Sequence, residues 1–460
     1  MTNSIFIFRR DYRLHDNLGL IECCKNSKKV YLVFIFTPEQ IDNKMNSYKS
    51  HNSVKFLCDS LKELNEMTKD KLHIFNGTNT EVLSKLISKW NINSIYTNND
   101  YTLYAKKRDA EIEKLTLSKN VDYFAIEDYN LLPINTIVPV GKNYYTKFRP
   151  FYEKILKETI PRPIKFTYAN KIVSNTHKDT LKIESINRFY DSNKVGNQVS
   201  KGGRKSGKKI IDTIENFNTY PEQRNNLIYD TTHLSAHIKY GTISIREVFY
   251  AIKDKLGLNS ELLRQVIWHD FFNNMVYNNS DTFKEGMYPI SKQIKWINNN
   301  TYTEKWKQAR SGYPIIDACM TELNTTGYLH NRGRMIVANF LTRILGTHWK
   351  QGEKYFAQVL YDYDPIQNNM GWTGQATVNG AQARPLIQTV LNPWIQSSKY
   401  DKNAQYIKKW LPILIDIPPR ELHAWDKHHS KYKNIDYPKP IVDYKINRER
   451  MLQAYYVAAK

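Results

Sequence analysis

The first 128 residues switch repeatedly between two hydrophobic periods. Short apolar runs rich in β-branched and aromatic residues read as strands: "SIFIFRR" (4–10), "KVYLVFIF" (29–36), "LHIFNG" (72–77), "INSIYTN" (92–98) and "VDYFAIED" (121–128). Between them, "NLGLIECCK" (17–25), "SHNSVKFLCDSLKELNEM" (50–67), "TEVLSKLISKW" (80–90) and "AKKRDAEIEKLTLSK" (105–119) repeat apolar positions at helical spacing. Strand and helix in alternation imply a parallel sheet with helices on both faces. No GxGxxG follows the first strand, so an ordinary dinucleotide-binding fold is not supported.

The pattern then breaks. Residues 130–200 are irregular and carry Pro133, Pro139, Pro150, Pro161 and Pro163. "DSNKVGNQVSKGGRKSGKK" (191–209) is rich in Gly, Ser and Lys and reads as a linker or exposed loop. From about 210 onward the period is helical, as in "SIREVFYAIKDKL" (244–256), "SELLRQVIWHDFFNNMVYN" (260–278) and "PIIDACMTELNTTG" (314–327). In the last of these Pro314 starts a helix and Gly327 ends it. The expected organisation is an α/β domain over 1–130, a linker over 131–205 and an all-α domain over 206–460.

Composition sharpens this only in part. The chain has 460 residues, enough for two or three domains, with 41% hydrophobic positions and a mean hydropathy of −0.60. The run "VYLVFIF" (30–36) is too short to cross a bilayer, which takes roughly 20 residues, and arginines interrupt the apolar core a secretory leader would need. Cys23, Cys24, Cys58 and Cys319 form no CxxC or zinc spacing, so no metal site is expected, and a reducing, intracellular compartment is. The net charge of +22 suits a polyanionic partner such as nucleic acid; a lysine-rich surface from biased composition gives the same number.

Three stretches concentrate chemistry. In "LHNRGRMIVANF" (329–340), residues three apart share a helix face, so Asn331 and Arg334 point one way and Arg332 and Met335 roughly 100° around. One helix can thus line two compartments, or simply present a solvated basic face. "TTHLS" (231–235) offers hydroxyls and backbone N–H groups at a helix start, which serve a phosphate or a plain N-cap. "YDYDPIQNNMGWTGQ" (361–375) joins two acids, the adjacent amides Asn368 and Asn369 and a Gly-Trp pair, more than a polar turn requires.

Together with "FRRDYRLHDN" (8–17), "TTHLSAHIKYGTIS" (231–244), "WKQARSGYPIIDACMTELNTTGYLHNRGRM" (306–335) and "LYDYDPIQNNMGW" (360–372), these stretches resemble the photolyase/cryptochrome family, in order and over nearly the whole chain. The resemblance implies a Rossmann-like antenna domain followed by an all-helical domain holding FAD bent into a U, active in its reduced form. It implies that Tyr220 and the segment Thr231, Thr232, His233, Leu234 and Ser235 hold the pyrophosphate. Arg334 with Asp362 forms a guanidinium–carboxylate pair near the isoalloxazine, alongside Asn331 and Asp364. Asn368 matches the amide that faces the flavin N5 in photolyases, where an amide can donate or accept. Trp372, Trp349 and Trp296 match an electron-transfer chain from flavin to surface.

On the substrate side the resemblance assigns Gln265, Trp268, His269, Asn331, Arg332 and Met335 to UV-damaged DNA. Gln265 stands where many relatives have Glu, His269 where Arg is frequent, Gly374 where a second substrate tryptophan is common, and Tyr328 replaces another Trp; Trp394 is a candidate to compensate. Lys44 and Ala105 fall at two folate-contacting positions, which disfavours folate and leaves a deazaflavin, another flavin or no second antenna chromophore. The implied activity is light-driven repair of cyclobutane pyrimidine dimers by a monomer, with no membrane partner. A (6-4) photolyase and a cryptochrome photoreceptor are the alternatives. The first usually pairs two histidines, and "LHNRGRM" offers only His330.

Overall fold

In the computed structural model, which describes residues 2–175, 178–286, 290–376 and 390–459, the amino-terminal third forms a five-stranded parallel sheet. Its strands are β1 (Asn3–Ile7), β2 (Lys29–Phe36), β3 (Leu72–Asn76), β4 (Ser94–Asn98) and β5 (Asp122–Ile126), in the order β3-β2-β1-β4-β5. The helices between them are α1 (Leu18–Asn26), α2 (His51–Met67), α3 (Asn79–Trp90) and α4 (Leu103–Ser118). Register follows the alternation of side chains. Phe6, Leu32, Phe34 and Phe36 point to one face with Leu20, Leu61 and Leu64; Ile5, Ile7, Val33, Ile35 and Ile95 point to the other with Leu83 and Leu86. Each of these fully buried aliphatic or aromatic side chains contributes about 1.5–3 kcal/mol. Local signals agree: Thr78 and Glu81 close a capping box on α3, and Asn91 ends it in the left-handed region at φ 50°.

β1 stops at Ile7 rather than running to Arg10. The Phe8 amide still donates to the Val33 carbonyl at 2.9 Å, but the Arg9 amide turns to the Asp11 carboxylate at 2.7 Å. The basic end of the apolar run thereby leaves the sheet and enters the seam between domains. There the Arg13 guanidinium pairs with Asp128, and Arg246 pairs with Asp16 at 2.9 Å and Asp128 at 2.6 Å, all buried. Gly241, at φ 59°, packs against the Arg10 carbonyl where a Cβ would overlap it.

The connecting segment is less irregular than its prolines imply. It holds α5 (Phe148–Ile155), and Val173 donates to the Val30 carbonyl at 3.0 Å. The Gly/Ser/Lys-rich stretch corrects the expectation more sharply, since α6 (Arg204–Asp212) takes up its last residues. Two interactions overcome the low propensity of the segment. Glu63 of α2 accepts from the Lys205 amide at 2.7 Å at the helix start, and Arg204 pairs with Glu247 at 2.6 Å. Gly207 is needed for close approach, since a Cβ there would lie 2.6 Å from Ile243 and 2.8 Å from His237.

The remainder is helical: α7 (Leu234–Lys239), α8 (Ile245–Leu256), α9 (Glu261–Asn278), α10 (Asn300–Lys307), α11 (Pro314–Thr326), α12 (Asn331–Arg343), α13 (Trp349–Val359) and α14 (Pro365–Gln375), with further helices after residue 390. Pro314 is the first residue of α11 and Gly327 caps its end at φ 70°, as read from the sequence. Trp306, Ile316, Leu341, Trp349, Phe356 and Trp372 share one core. Among the described residues no helix is long and apolar enough to cross a membrane.

Candidate functional site

Three segments far apart in sequence meet at Asp362. The first is the short connection between α13 and α14, pinned where the Tyr361 amide donates to the Gly327 carbonyl at 2.9 Å. The second is α12, from which the Arg334 guanidinium donates to Asp362 at 2.8 Å and to the Leu329 carbonyl at 2.7 Å. The third is the entry to α7, where the Ser235 hydroxyl donates to the same Asp362 oxygen at 2.6 Å. Burial acts against the Arg334 charge, yet Asp362 holds its pKa above the ordinary value. Thr231 bonds the Tyr328 hydroxyl at 3.1 Å, and the His233 ring lies 4.5 Å from the Tyr328 ring. His233 adopts φ 52° and bonds Asp230 at 2.5 Å.

Around this meeting point several buried polar atoms have no partner among the described residues: Asp362 Oδ1, His233 Nδ1, the Tyr361 hydroxyl, the Tyr229 hydroxyl and His330 Nε2. An unsatisfied buried polar group costs about 1–3 kcal/mol, so a concentration of them marks where a polar ligand belongs. Burial, then Arg332 and Arg334, push the His330 pKa down to about 4, so its ring is neutral near pH 7.

The opening acids and amides of the 361–375 stretch divide their tasks. The Asp364 carboxylate pairs with Arg10, accepts from the Tyr129 hydroxyl at 2.5 Å and caps α14 through the Ile366 and Gln367 amides at 2.9 and 3.1 Å. Burial would raise its pKa; Arg10, His269 and these donors bring it down to about 2. Its carboxylate is therefore committed to the interdomain seam. Asn369 is fully buried, donating to the Glu353 carboxylate at 3.0 Å and accepting from Thr282 at 3.3 Å. Asn368 is half-buried, and its amide donates to the Glu353 carbonyl at 3.3 Å. The neighbouring amides are thus told apart by burial.

Trp372 lies on α14, against which α13 packs so closely that a Cβ at Gly352 would overlap the indole. Trp349, the first residue of α13, lies 5.7 Å from His348, whose ring is 5.1 Å from Trp296. Trp349 and Trp372 are buried and Trp296 is half-buried, which orders them from interior toward surface.

The remaining residues fall in other places. Asn331 is exposed and lies beside Met335, with its amide 4.0 Å from the sulfur; it does not join Arg334 at Asp362. Arg332 bonds Asn225 at 2.5 Å and stacks 4.5 Å over the Tyr400 ring. Trp268 stacks face to face on Phe148 at 3.7 Å, so one face expected for substrate is covered by α5. Gln265 donates to Glu261 of its own helix at 3.3 Å. His269 is buried 4.8 Å from the Tyr129 ring and 3.2 Å from Asp270, within the seam, because its position on α9 faces the α/β domain. Tyr220 is half-buried in the cluster of α9 with Phe217 and Trp268. Sequence reasoning missed Arg10, Tyr129, Tyr361 and Glu353. Arg10 and Tyr361 lay inside quoted motifs, and Glu353 is four residues after Trp349; Tyr129 carried no signal beyond being aromatic.

The fold and site define a two-domain protein with an α/β domain clamped to a helical ligand-binding domain. Residues 4–166 match the family model described as DNA photolyase, and residues 262–457 match the FAD binding domain of DNA photolyase. The chain belongs to the photolyase/cryptochrome family. It is 30% identical to a deoxyribodipyrimidine photo-lyase of Buchnera aphidicola over 99% of this chain and 97% of that one. It is 27% identical to cryptochrome-1 of Macaca fascicularis over 98% of this chain and 83% of that one. Among solved structures, an archaeal photolyase from Sulfolobus tokodaii, described with two FAD molecules, superposes with a TM-score of 0.88 at 33% identity, covering 99% and 100% of the two chains. FAD is the cofactor of this domain, and the unpartnered donors and acceptors around Asp362 fit a ligand rich in both.

Proposed function

We propose that the chain is a light-driven lyase that repairs cyclobutane pyrimidine dimers in UV-damaged DNA. The observation that carries the reading is the cradle at Asp362: its unpartnered polar atoms lie at the foot of the helix that carries both Asn368 and Trp372. When bound and reduced, FAD supplies the electron that light transfers to the lesion; the protein supplies distance, orientation and electrostatics. Arg334 and Asp362 would hold the ring system through charge-assisted hydrogen bonds, and Thr231, Thr232 and Ser235 would serve the phosphates. Asn368 would face the reactive edge of the ring, held together with Asn369 by their hydrogen bonds to Glu353. Trp372, Trp349 and Trp296 deliver electrons that restore the reduced state; they do not split the dimer.

Arg332, beside the half-buried Met335, supports the DNA-facing role, and the +22 charge favours docking on phosphates. The lesion leaves the duplex at a cost of roughly a few kcal/mol, less where stacking is already damaged. Two other readings keep a specific observation each. The neutral, partly unpartnered His330 fits a (6-4) lesion, and the match to cryptochrome-1 fits a photoreceptor. A second chromophore in the α/β domain extends the same reading; the Sulfolobus tokodaii relative makes a second flavin the form to look for.

The test is illumination of the reduced protein with two oligonucleotides, one per lesion type. Restoration of the cyclobutane dimer alone is expected. Repair of the (6-4) oligonucleotide alone would replace the reading with the second, and repair of neither by flavin-loaded protein would leave the photoreceptor.

A further inference from the structure

Trp306 opens one of the motifs quoted above, yet no role falls on it. It is fully buried on α10, 6.3 Å from Trp372 at an interplanar angle of 76°. The Tyr355 ring lies 5.8 Å from that of Trp306. Tyr355 is half-buried on α13, and its hydroxyl donates to Asn324 at 2.7 Å and lies 3.2 Å from the Lys307 carbonyl. Asn324 is exposed. The three rings therefore run in ring-to-ring contact from the interior to solvent, on a course separate from Trp349, His348 and Trp296.

The two intermediate groups differ in how they can carry a positive hole. Trp306 Nε1 is buried with no acceptor among the described residues, so an oxidised indole there keeps its proton and stays strongly oxidising. Tyr355 has its hydroxyl at the protein surface, held by acceptors that orient it without taking the proton. Burial, partly offset by Asn324, raises its pKa to about 12, so the phenol is protonated near pH 7 and loses a proton as it loses an electron.

We propose that Trp306 and Tyr355 form a second electron-supply branch to Trp372, ending in a tyrosyl radical. The proposal rests on the reading of Trp372 as the donor nearest the flavin. Once Trp372 has yielded an electron, one electron passes from Trp306 to the Trp372 cation and restores it. One electron then passes from Tyr355 to the Trp306 cation, and the phenolic proton leaves to water. A small thiol in solution returns a hydrogen atom to the tyrosyl oxygen, and two thiyl radicals combine to a disulfide.

The test uses the FAD-loaded full chain, illuminated without thiol and frozen for electron paramagnetic resonance, with and without ring-deuterated tyrosine. Trp349→Phe is expected to keep a tyrosyl signal that narrows on deuteration. Adding Tyr355→Phe or Trp306→Phe is expected to abolish it. Tyr355→Phe keeps the ring at a half-buried position, so it decides the matter even where replacing the buried Trp306 prevents folding. A tyrosyl signal absent from Trp349→Phe, or surviving Tyr355→Phe, overturns the branch. Trp372→Phe separates the two layers: if photoreduction survives it, the reading of Trp372 fails first.

Discussion

Asp362 and Asp364 are two residues apart and of one chemical type, yet they do different work. Asp362 keeps one oxygen for Arg334 and Ser235 and leaves the other without a partner among the described residues. Asp364 is spent on Arg10, Tyr129 and the start of α14. Asp362→Ala is expected to lower flavin retention after gel filtration while the apoprotein stays folded. Asp364→Ala removes one partner of a buried pair and is expected to cost about 3–5 kcal/mol in urea unfolding. Glu353 makes a pH-dependent prediction. Burial, only partly offset by the Asn369 amide, raises its pKa from 4.5 to about 7, so the folded state favours the protonated acid. Its contribution is complete below about pH 4.5 and is lost as pH rises through about 7, on the order of 3 kcal/mol. Glu353→Gln is expected to flatten stability against pH across that window; an unchanged slope would contradict the assignment. At this scale residue types were legible and partners were not. The sequence could name Arg334 and Asp362 through the family resemblance. It could not tell that His269 turns into the domain seam or that Phe148 covers a face of Trp268, because both depend on how the connecting segment folds back.

The elements were more legible, because helix and strand periods are properties of short windows. Each strand expected between residues 4 and 128 is present, with ends shifted where a polar turn captures the chain, as at Arg9. α6 is the instructive exception. Its glycines and lysines read as linker, and contacts with residues far away in sequence, Glu63 and Glu247 among them, make a helix of it. At the functional end, α14 is the critical element, since one helix carries Asn368, Asn369 and Trp372 and is capped by the residue that holds the domains together. Its seat on α13 depends on Gly352. Gly352→Ala is expected to destabilise the fold by about 1–3 kcal/mol through overpacking and, by displacing Trp372, to slow photoreduction. A variant of normal stability and normal photoreduction would show that the contact does not matter.

For the whole molecule, the seam built from Arg10, Arg13, Arg246, Asp16, Asp128 and Asp364 makes the α/β domain a structural support of the helical one. Phe56 of α2 even stacks on Tyr361, 5.8 Å away, behind the Asp362 cradle. The charge of +22 predicts that affinity for DNA falls steeply with salt. Arg332→Ala is expected to weaken binding to damaged oligonucleotides more than to undamaged ones, and normal affinity for both would remove Arg332 from the lesion face. The account stands or falls on the cradle holding a flavin that light can reduce. The most direct measurement is the absorption spectrum of the purified, FAD-reconstituted chain, before and after blue light with thiol. At least one flavin per chain is predicted, with an oxidised band that bleaches on illumination in the wild type and persists in Trp372→Phe. A chain that folds but stays colourless after reconstitution would contradict it.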